Sequence, residues 1–193
     1  MGPNFLFIMA DQLAAPALSV YGDKIVKAPA IDKLAKNGIV FENAYCNLPM
    51  CGPSRASLHS GRLPFSIGMY DNASEFIASI PTFAHYLRDL GYRTELAGKM
   101  HFVGSDQLHG FQERLTTDIY PANFTWTPNW GLPVTSPNPA GATVRPILEA
   151  GPCIRNMQMD YDEEVAFKAR QKIYDLARCK DDANPFFLLT SVQ

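Results

Sequence analysis

The alternation of strand-like and helical stretches limits this fold more than any other feature. Phe5-Leu6-Phe7-Ile8-Met9 is a short continuous apolar run, as expected of a strand covered on both faces in a parallel sheet. Ile39 to Tyr45, Tyr92 to Ala97 and Phe186 to Val192 read as three more strands. Helices stand between them. Pro29 to Lys36 begins on a proline suited to a first turn, puts Ile31, Leu34 and Ala35 on one face and is closed by Gly38. Thr82 to Leu90 lies between Pro81 and Gly91. From about Asp160 to Cys179 a longer helix carries Asp160, Asp162, Glu163 and Glu164 at its start, where the helix dipole favours acid, and Val165, Ala169, Ile173 and Leu176 along one side. This order predicts an α/β fold with a mostly parallel sheet flanked by helices.

The pattern breaks between Thr116 and Gly151, a stretch rich in Pro, Gly and Asn that holds Trp126 and Trp130. So long an irregular connection is expected to be a separate lobe, either a binding loop or a surface packing element. The 193 residues suffice for one domain with a core, and a net charge of -2 without a basic stretch speaks against nucleic acid or anionic membranes as main partners. No run reaches the length of a membrane span. The first apolar run lacks a basic leader and stops at Asp11, so a strand is expected there, not a signal peptide, and the location expected is cytoplasmic. Cys46, Cys51, Cys153 and Cys179 form no C-x-x-C pair. No disulfide framework is expected, and Cys46, Cys153 and Cys179 read as small, at least partly buried hydrophobes.

Cys51 has different neighbours: Cys51-Gly52-Pro53-Ser54-Arg55-Ala56-Ser57-Leu58-His59-Ser60-Gly61-Arg62. Pro53 suits the first turn of a helix through Ser54 to Ser60, which puts Cys51 at an N-terminus whose N–H groups favour negative charge. Arg55, one turn on, can point back to the same end, and an anion could rest between them. Local chemistry leaves Cys51 open as a reactive thiol, an inert one, or something more specialised.

Cys-x-Pro-Ser-Arg, five residues and Gly resembles the signature of the type I sulfatases, in the alkaline phosphatase superfamily. The resemblance implies that Cys51 is oxidised to formylglycine by a maturation system. The hydrated aldehyde would attack sulfur through one hydroxyl and expel sulfate through the other, dividing one hard displacement into two easier ones. Asp11 and Gln12, after the first strand, correspond to metal-binding positions. With the modified Cys51 they would hold a divalent cation, Ca²⁺ first and Mg²⁺ or Mn²⁺ as alternatives. Gly98-Lys99-Met100-His101 looks like the family's Gly-Lys-x-His element, with Lys99 on a sulfate oxygen and His101 assisting proton transfer.

The resemblance narrows to the choline-sulfatases through Tyr70-Asp71-Asn72-Ala73, Phe83-Ala84-His85-Tyr86-Leu87, Lys99 to Gly104, Asp106 to Phe111 and Arg114 to Pro121. By it, Asn72 would touch the sulfate and Trp126 would face a trimethylammonium group. Choline sulfate is the implied substrate, and a homo-oligomer is possible. Gly141 to Pro146 departs from that subfamily in carrying no His. The family's later metal ligands, a second His and a second Lys are not among the 193 residues. The expectation is therefore an N-terminal portion of an alkaline-phosphatase-like fold, inactive unless the rest is supplied. The rival readings are a phosphonate monoester or phosphodiester hydrolase of the same superfamily and a non-catalytic remnant.

Overall fold

A computed structural model of the chain describes residues 2–127, 129, 131–132, 145–179 and 184–193. Four parallel strands form one sheet: β1 (Phe5–Ala10), β2 (Arg93–Gly98), the two-residue β3 (Glu113–Arg114) and β4 (Phe186–Val192). Their spatial order is β1-β4-β2-β3, so the last strand in sequence lies between the first two. Among the described residues five α-helices accompany them: α1 (Pro29–Asn37), α2 (Cys51–Ser60), α3 (Phe83–Asp89), α4 (Arg145–Leu148) and α5 (Met157–Arg178).

Most elements fall where the apolar pattern puts them. Pro29 opens α1 and Gly38 follows its end. Asn156 caps α5, its side chain accepting from the Met159 N–H at 2.8 Å. One face of α5 buries Tyr161, Val165 and Ala169 against the β2–β4 side of the sheet, where Ala97 joins the same cluster. Ile173 and Leu176, on the same stripe, are half-buried. The opposite face of β2 and β4 packs Leu96, Phe187 and Leu189 with Ala56 of α2, Ala84 of α3 and the rings of Phe76, Phe102 and Phe111. Lys172 of α5 reaches Glu95 at 3.1 Å and Glu113 at 2.5 Å, neutralising two carboxylates that face each other across the β2–β3 register.

Two expectations need correction. Ile39 to Tyr45 is not a strand: it has no pairing partner, and Ile39 and Tyr45 are 83% and 91% exposed. An apolar run becomes a strand only when an edge pairs with it, and among the described residues neither outer edge of the sheet does so here. Cys46, Cys153 and Cys179 are exposed, not buried, because each sits on a connection or helix end away from both core faces. The lobe expected over residues 116–151 falls partly outside the described residues, as do Trp130 and most of Gly141 to Pro146. Among the described residues, no helix is long and apolar enough to cross a membrane.

Candidate active site

The carboxyl ends of β1, β4 and β2 converge on the N-terminus of α2. Cys51 is the first residue of that helix, two positions before Pro53, and Met50 before it is extended. The first turn leaves N–H groups without helical partners. The Asn72 side chain accepts one of them, from Gly52, at 2.9 Å. Gly52, Pro53, Arg55, Ala56, Ser57 and His59 are buried, so α2 is held on several sides and Cys51 is fixed at its mouth.

A buried charge cluster surrounds the thiol. Arg55 donates to the Lys99 carbonyl at 2.6 Å, to Ser191 Oγ at 3.0 Å and to Asp11 Oδ1 at 2.9 Å. Lys99 Nζ donates to Asp11 Oδ2 at 2.6 Å and lies 3.4 Å from Cys51 Sγ. The thiol is 3.7 Å from Asp11 Oδ2. The Lys99 side chain is fully buried, and those of Arg55 and Asp11 nearly so. Burial pushes the Asp11 carboxyl upward, but the hydrogen bonds and charges of Lys99 and Arg55 outweigh it and hold the group below the ordinary carboxylate range. Two cations against one carboxylate leave an unbalanced positive charge beside Cys51. In a poorly hydrated place that is costly by itself and favours a second anion.

Lys99 and His101 occupy a tight turn after β2. Gly98 opens it at φ 95°, and a Cβ there would come within 1.9 Å of the Ser191 carbonyl oxygen, so only glycine lets β2 and β4 close on each other. His101 Nε2 lies 2.9 Å from the Asn72 carbonyl oxygen, which can only accept. The neutral ring therefore carries its proton on Nε2, leaving Nδ1 as the acceptor. Nδ1 is buried without a hydrogen-bond partner. Burial lowers the basicity of His101, and the positive charges of Lys99 and Arg55 add to this. The Asn72 carbonyl and Asp118 work the other way.

Asp11, Gln12, Cys51, Ser54 and Asn72 line one cavity of about 700 Å³, together with Met50 and Cys46. The structure thus brings together Asp11, Cys51, Arg55, Asn72, Lys99 and His101, with Gln12 on the cavity wall. Trp126 stands one layer away, its ring 5.5 Å from His101 and 5.0 Å from Tyr120. Tyr120, which no role singled out in the sequence, lies under Lys99 Nζ at 4.1 Å. Ser191 was equally hidden, because only the placement of β4 beside β2 brings it to Arg55.

A divalent ion tests the donor set. An ionised carboxylate offers about four acceptor positions, and Asp11 uses three on Arg55, Lys99 and Cys51. One remains, and Gln12 adds a side-chain carbonyl. These are hard oxygen donors suited to Ca²⁺ or Mg²⁺, but such ions need about six or more. Among the described residues, no three His, Cys, Asp or Glu side chains cluster as a metal site. The set fits in kind and falls short in number.

The sulfatase family model matches residues 3–193. The chain is 49% identical over 180 residues to a choline-sulfatase of Rhizobium meliloti (strain 1021), covering 93% of this chain and 35% of that protein. It is 34% identical over 128 residues to the iduronate 2-sulfatase of Homo sapiens, of which it covers 22%. It spans about a third or less of the length of these curated relatives. The phosphonate monoester hydrolase of Agrobacterium radiobacter superposes with a TM-score of 0.67 at 23% identity, over 100% of this chain and 41% of the other, a likeness of fold alone.

Proposed function

This chain belongs to the sulfatase family, and from that premise we propose that it carries the nucleophile side of an active site hydrolysing a sulfate ester, choline sulfate being the substrate. Its α/β fold corresponds to the N-terminal part of the alkaline-phosphatase-like sulfatases. We read residues 1–193 as one portion of that catalytic domain, with the 116–151 segment as its lobe. The observation that carries the reading is the unbalanced positive charge of Arg55 and Lys99 beside Cys51 at a helix N-terminus. That place suits an oxyanion and would suit it better as charge builds during displacement.

Each residue then has one task. Cys51, converted to formylglycine by a dedicated maturation system, supplies a hydrated aldehyde; one hydroxyl attacks sulfur and displaces the alcohol, which takes up a proton, and the second hydroxyl then loses its proton and expels sulfate as the aldehyde re-forms. Lys99, 3.4 Å from the Cys51 sulfur, holds a sulfate oxygen. Arg55 keeps Asp11 ionised and oriented. Nδ1 of His101 takes or returns the proton that accompanies attack and release. Asn72 fixes the first turn of α2 through Gly52 and contacts the sulfate. Trp126, beside Tyr120, offers an aromatic face to a quaternary ammonium. A divalent cation would be held by Asp11, Gln12 and an oxygen of the modified residue 51, screening charge on the sulfate. Those three ligands do not complete its shell, so no step is routed through it.

The rival from another class is a non-catalytic module. The test is to produce the full-length protein, not residues 1–193 alone, in cells that contain the formylglycine-generating system. The peptide bearing residue 51 should be lighter by about 18 Da. Choline sulfate should turn over faster than an aryl phosphate diester, and Cys51→Ala should abolish turnover without unfolding the chain. A faster phosphodiester reaction would replace this reading with the phosphonate and phosphodiester one. Absence of both turnover and bound metal would favour the non-catalytic module.

A further inference from the structure

We propose that Asp118 is a positioning residue for this site: its carboxylate, pinned by Arg114, holds the Met100–His101 backbone and so sets where Lys99 and His101 stand. Asp118 Oδ2 accepts the N–H of Met100 at 2.9 Å and of His101 at 2.8 Å. The same oxygen accepts from Arg114 at 2.7 Å, and Oδ1 accepts the Tyr120 N–H at 3.3 Å. Arg114 also donates to the carbonyl and the side-chain oxygen of Gln107, at 3.2 and 3.1 Å. Gln107 in turn donates to the carbonyls of Phe102 and Gly104, at 2.8 and 2.9 Å. One network therefore grips the turn on both sides of His101.

The turn needs such a grip. His101 has φ 56°, a left-handed conformation that crowds the Cβ of any residue but glycine. It persists only where the surroundings over-determine it. Asp118 fixes the peptide groups that enter His101 and Gln107 fixes the Phe102 carbonyl that follows it, so the chain is held on both sides of the left-handed residue. The hydrogen bonds of the Asp118 carboxylate go to the N–H groups of Met100, His101 and Tyr120 and to Arg114, so it acts through the backbone of residues 100 and 101 and through its charge. Burial pushes its carboxyl up, but the Met100 and His101 N–H groups and the Arg114 charge outweigh this and keep it ionised at neutral pH. The groups facing His101 are Asp118, which favours its protonation, and Lys99 and Arg55, which oppose it. The uncharged rings of Tyr120 and Trp126 lie 5.4 and 5.5 Å away.

This inference rests on the sulfatase reading for its catalytic meaning, but its main test needs no substrate. In the 193-residue chain, NMR would follow amide exchange at Met100 and His101 and the titration of the His101 ring. Asp118→Ala removes the acceptor, and both amides should exchange at least about tenfold faster, the equivalent of one lost hydrogen bond of about 1.4 kcal/mol. Asp118→Asn keeps an acceptor oxygen but removes the charge. Exchange should then change little, while the His101 midpoint falls by about half a unit or more. In a preparation that turns over sulfate ester, Asp118→Ala should lower kcat about 10²-fold and leave KM nearly unchanged. Unchanged exchange in the Ala variant together with an unchanged midpoint in the Asn variant would overturn the proposal. If the Ala variant does not fold, the Asn titration alone decides. Lack of sulfatase turnover would defeat the proposed function and leave the exchange and titration results standing.

Discussion

β1 and β4 are alike in sequence and unlike in surroundings. Phe5-Leu6-Phe7-Ile8 and Phe186-Phe187-Leu188-Leu189 would serve equally well as the central strand of a parallel sheet. β4 has a neighbour on each edge and a core on each face, and Leu188 and Leu189 are fully buried. Among the described residues β1 pairs on one edge only, and Leu6 and Ile8 are 48% and 63% exposed. The segment after β1 repeats the contrast. α1 buries none of its residues among those described, and Ile39 and Phe41 are 83% and 69% exposed. Burial is thus set by what surrounds a strand as much as by its own apolar content. The candidate site lies on the seam between the two regions. Arg55, Lys99 and His101 come from the covered side, fixed and dry, whereas Asp11, Gln12 and Cys51 face the more open one.

Acid should separate the regions most sharply, because all four histidines lie between residues 59 and 109 and none between 1 and 58. His59 is stacked 5.0 Å from Phe83, and His109 is 4.2 Å from Phe76. Burial pushes each ring from 6.5 down to about 4. The unfolded chain then binds more protons between those values, so this stability is complete above pH 6.5 and is lost as pH falls toward 4. The loss is about 3 kcal/mol per ring. Urea unfolding across that range should show a slope of at least two protons, since His101 is lowered as well, and His59→Phe should reduce it by about one. A slope of zero would mean that the covered half is less dry than its packing indicates.

Truncation comes next. Leu188→Ala in β4 should cost about 2–5 kcal/mol, since it opens a cavity between two packed faces. Ile8→Ala in β1, already largely exposed, should cost less than about 1 kcal/mol. Equal costs, read from urea midpoints, would show that β1 is covered in solution and would remove the contrast.

How far the sequence could be read follows from the same contrast. Local signals located what depends on neighbours in the chain: Pro29 at the start of α1, Gly91 after α3, the acidic start of α5, and the Cys51–Arg62 motif that anchors the site. What depends on distant pairing stayed hidden. Nothing near Phe186 says that β4 inserts between β1 and β2, and so nothing says that Ser191 meets Arg55. Asp118 stands 17 and 18 positions from the two amides that it binds. It reads locally as one more polar residue before Tyr120. Ile39 to Tyr45 misleads for the opposite reason: its β-formers are present but no strand edge receives them.

The smallest effect lies at the helix starts. α5 has a side-chain cap, and its first turns lead into Tyr161 and Val165, which are buried. α1 is preceded by Ala28, which has no side-chain oxygen to accept an N–H, and buries nothing. Asn156→Ala should cost about 1 kcal/mol, because the Met159 N–H then loses its acceptor where the rest of the helix is held by packing. Ala28→Ser should stabilise the chain by no more than a few tenths of that. A cap contributes to global stability only if its helix unfolds with the core, and α1 has little packing to couple it to the sheet. If both substitutions shifted the urea midpoint equally, α1 would have to be unfolding together with β4. The two regions would then be one cooperative unit in spite of their different burial.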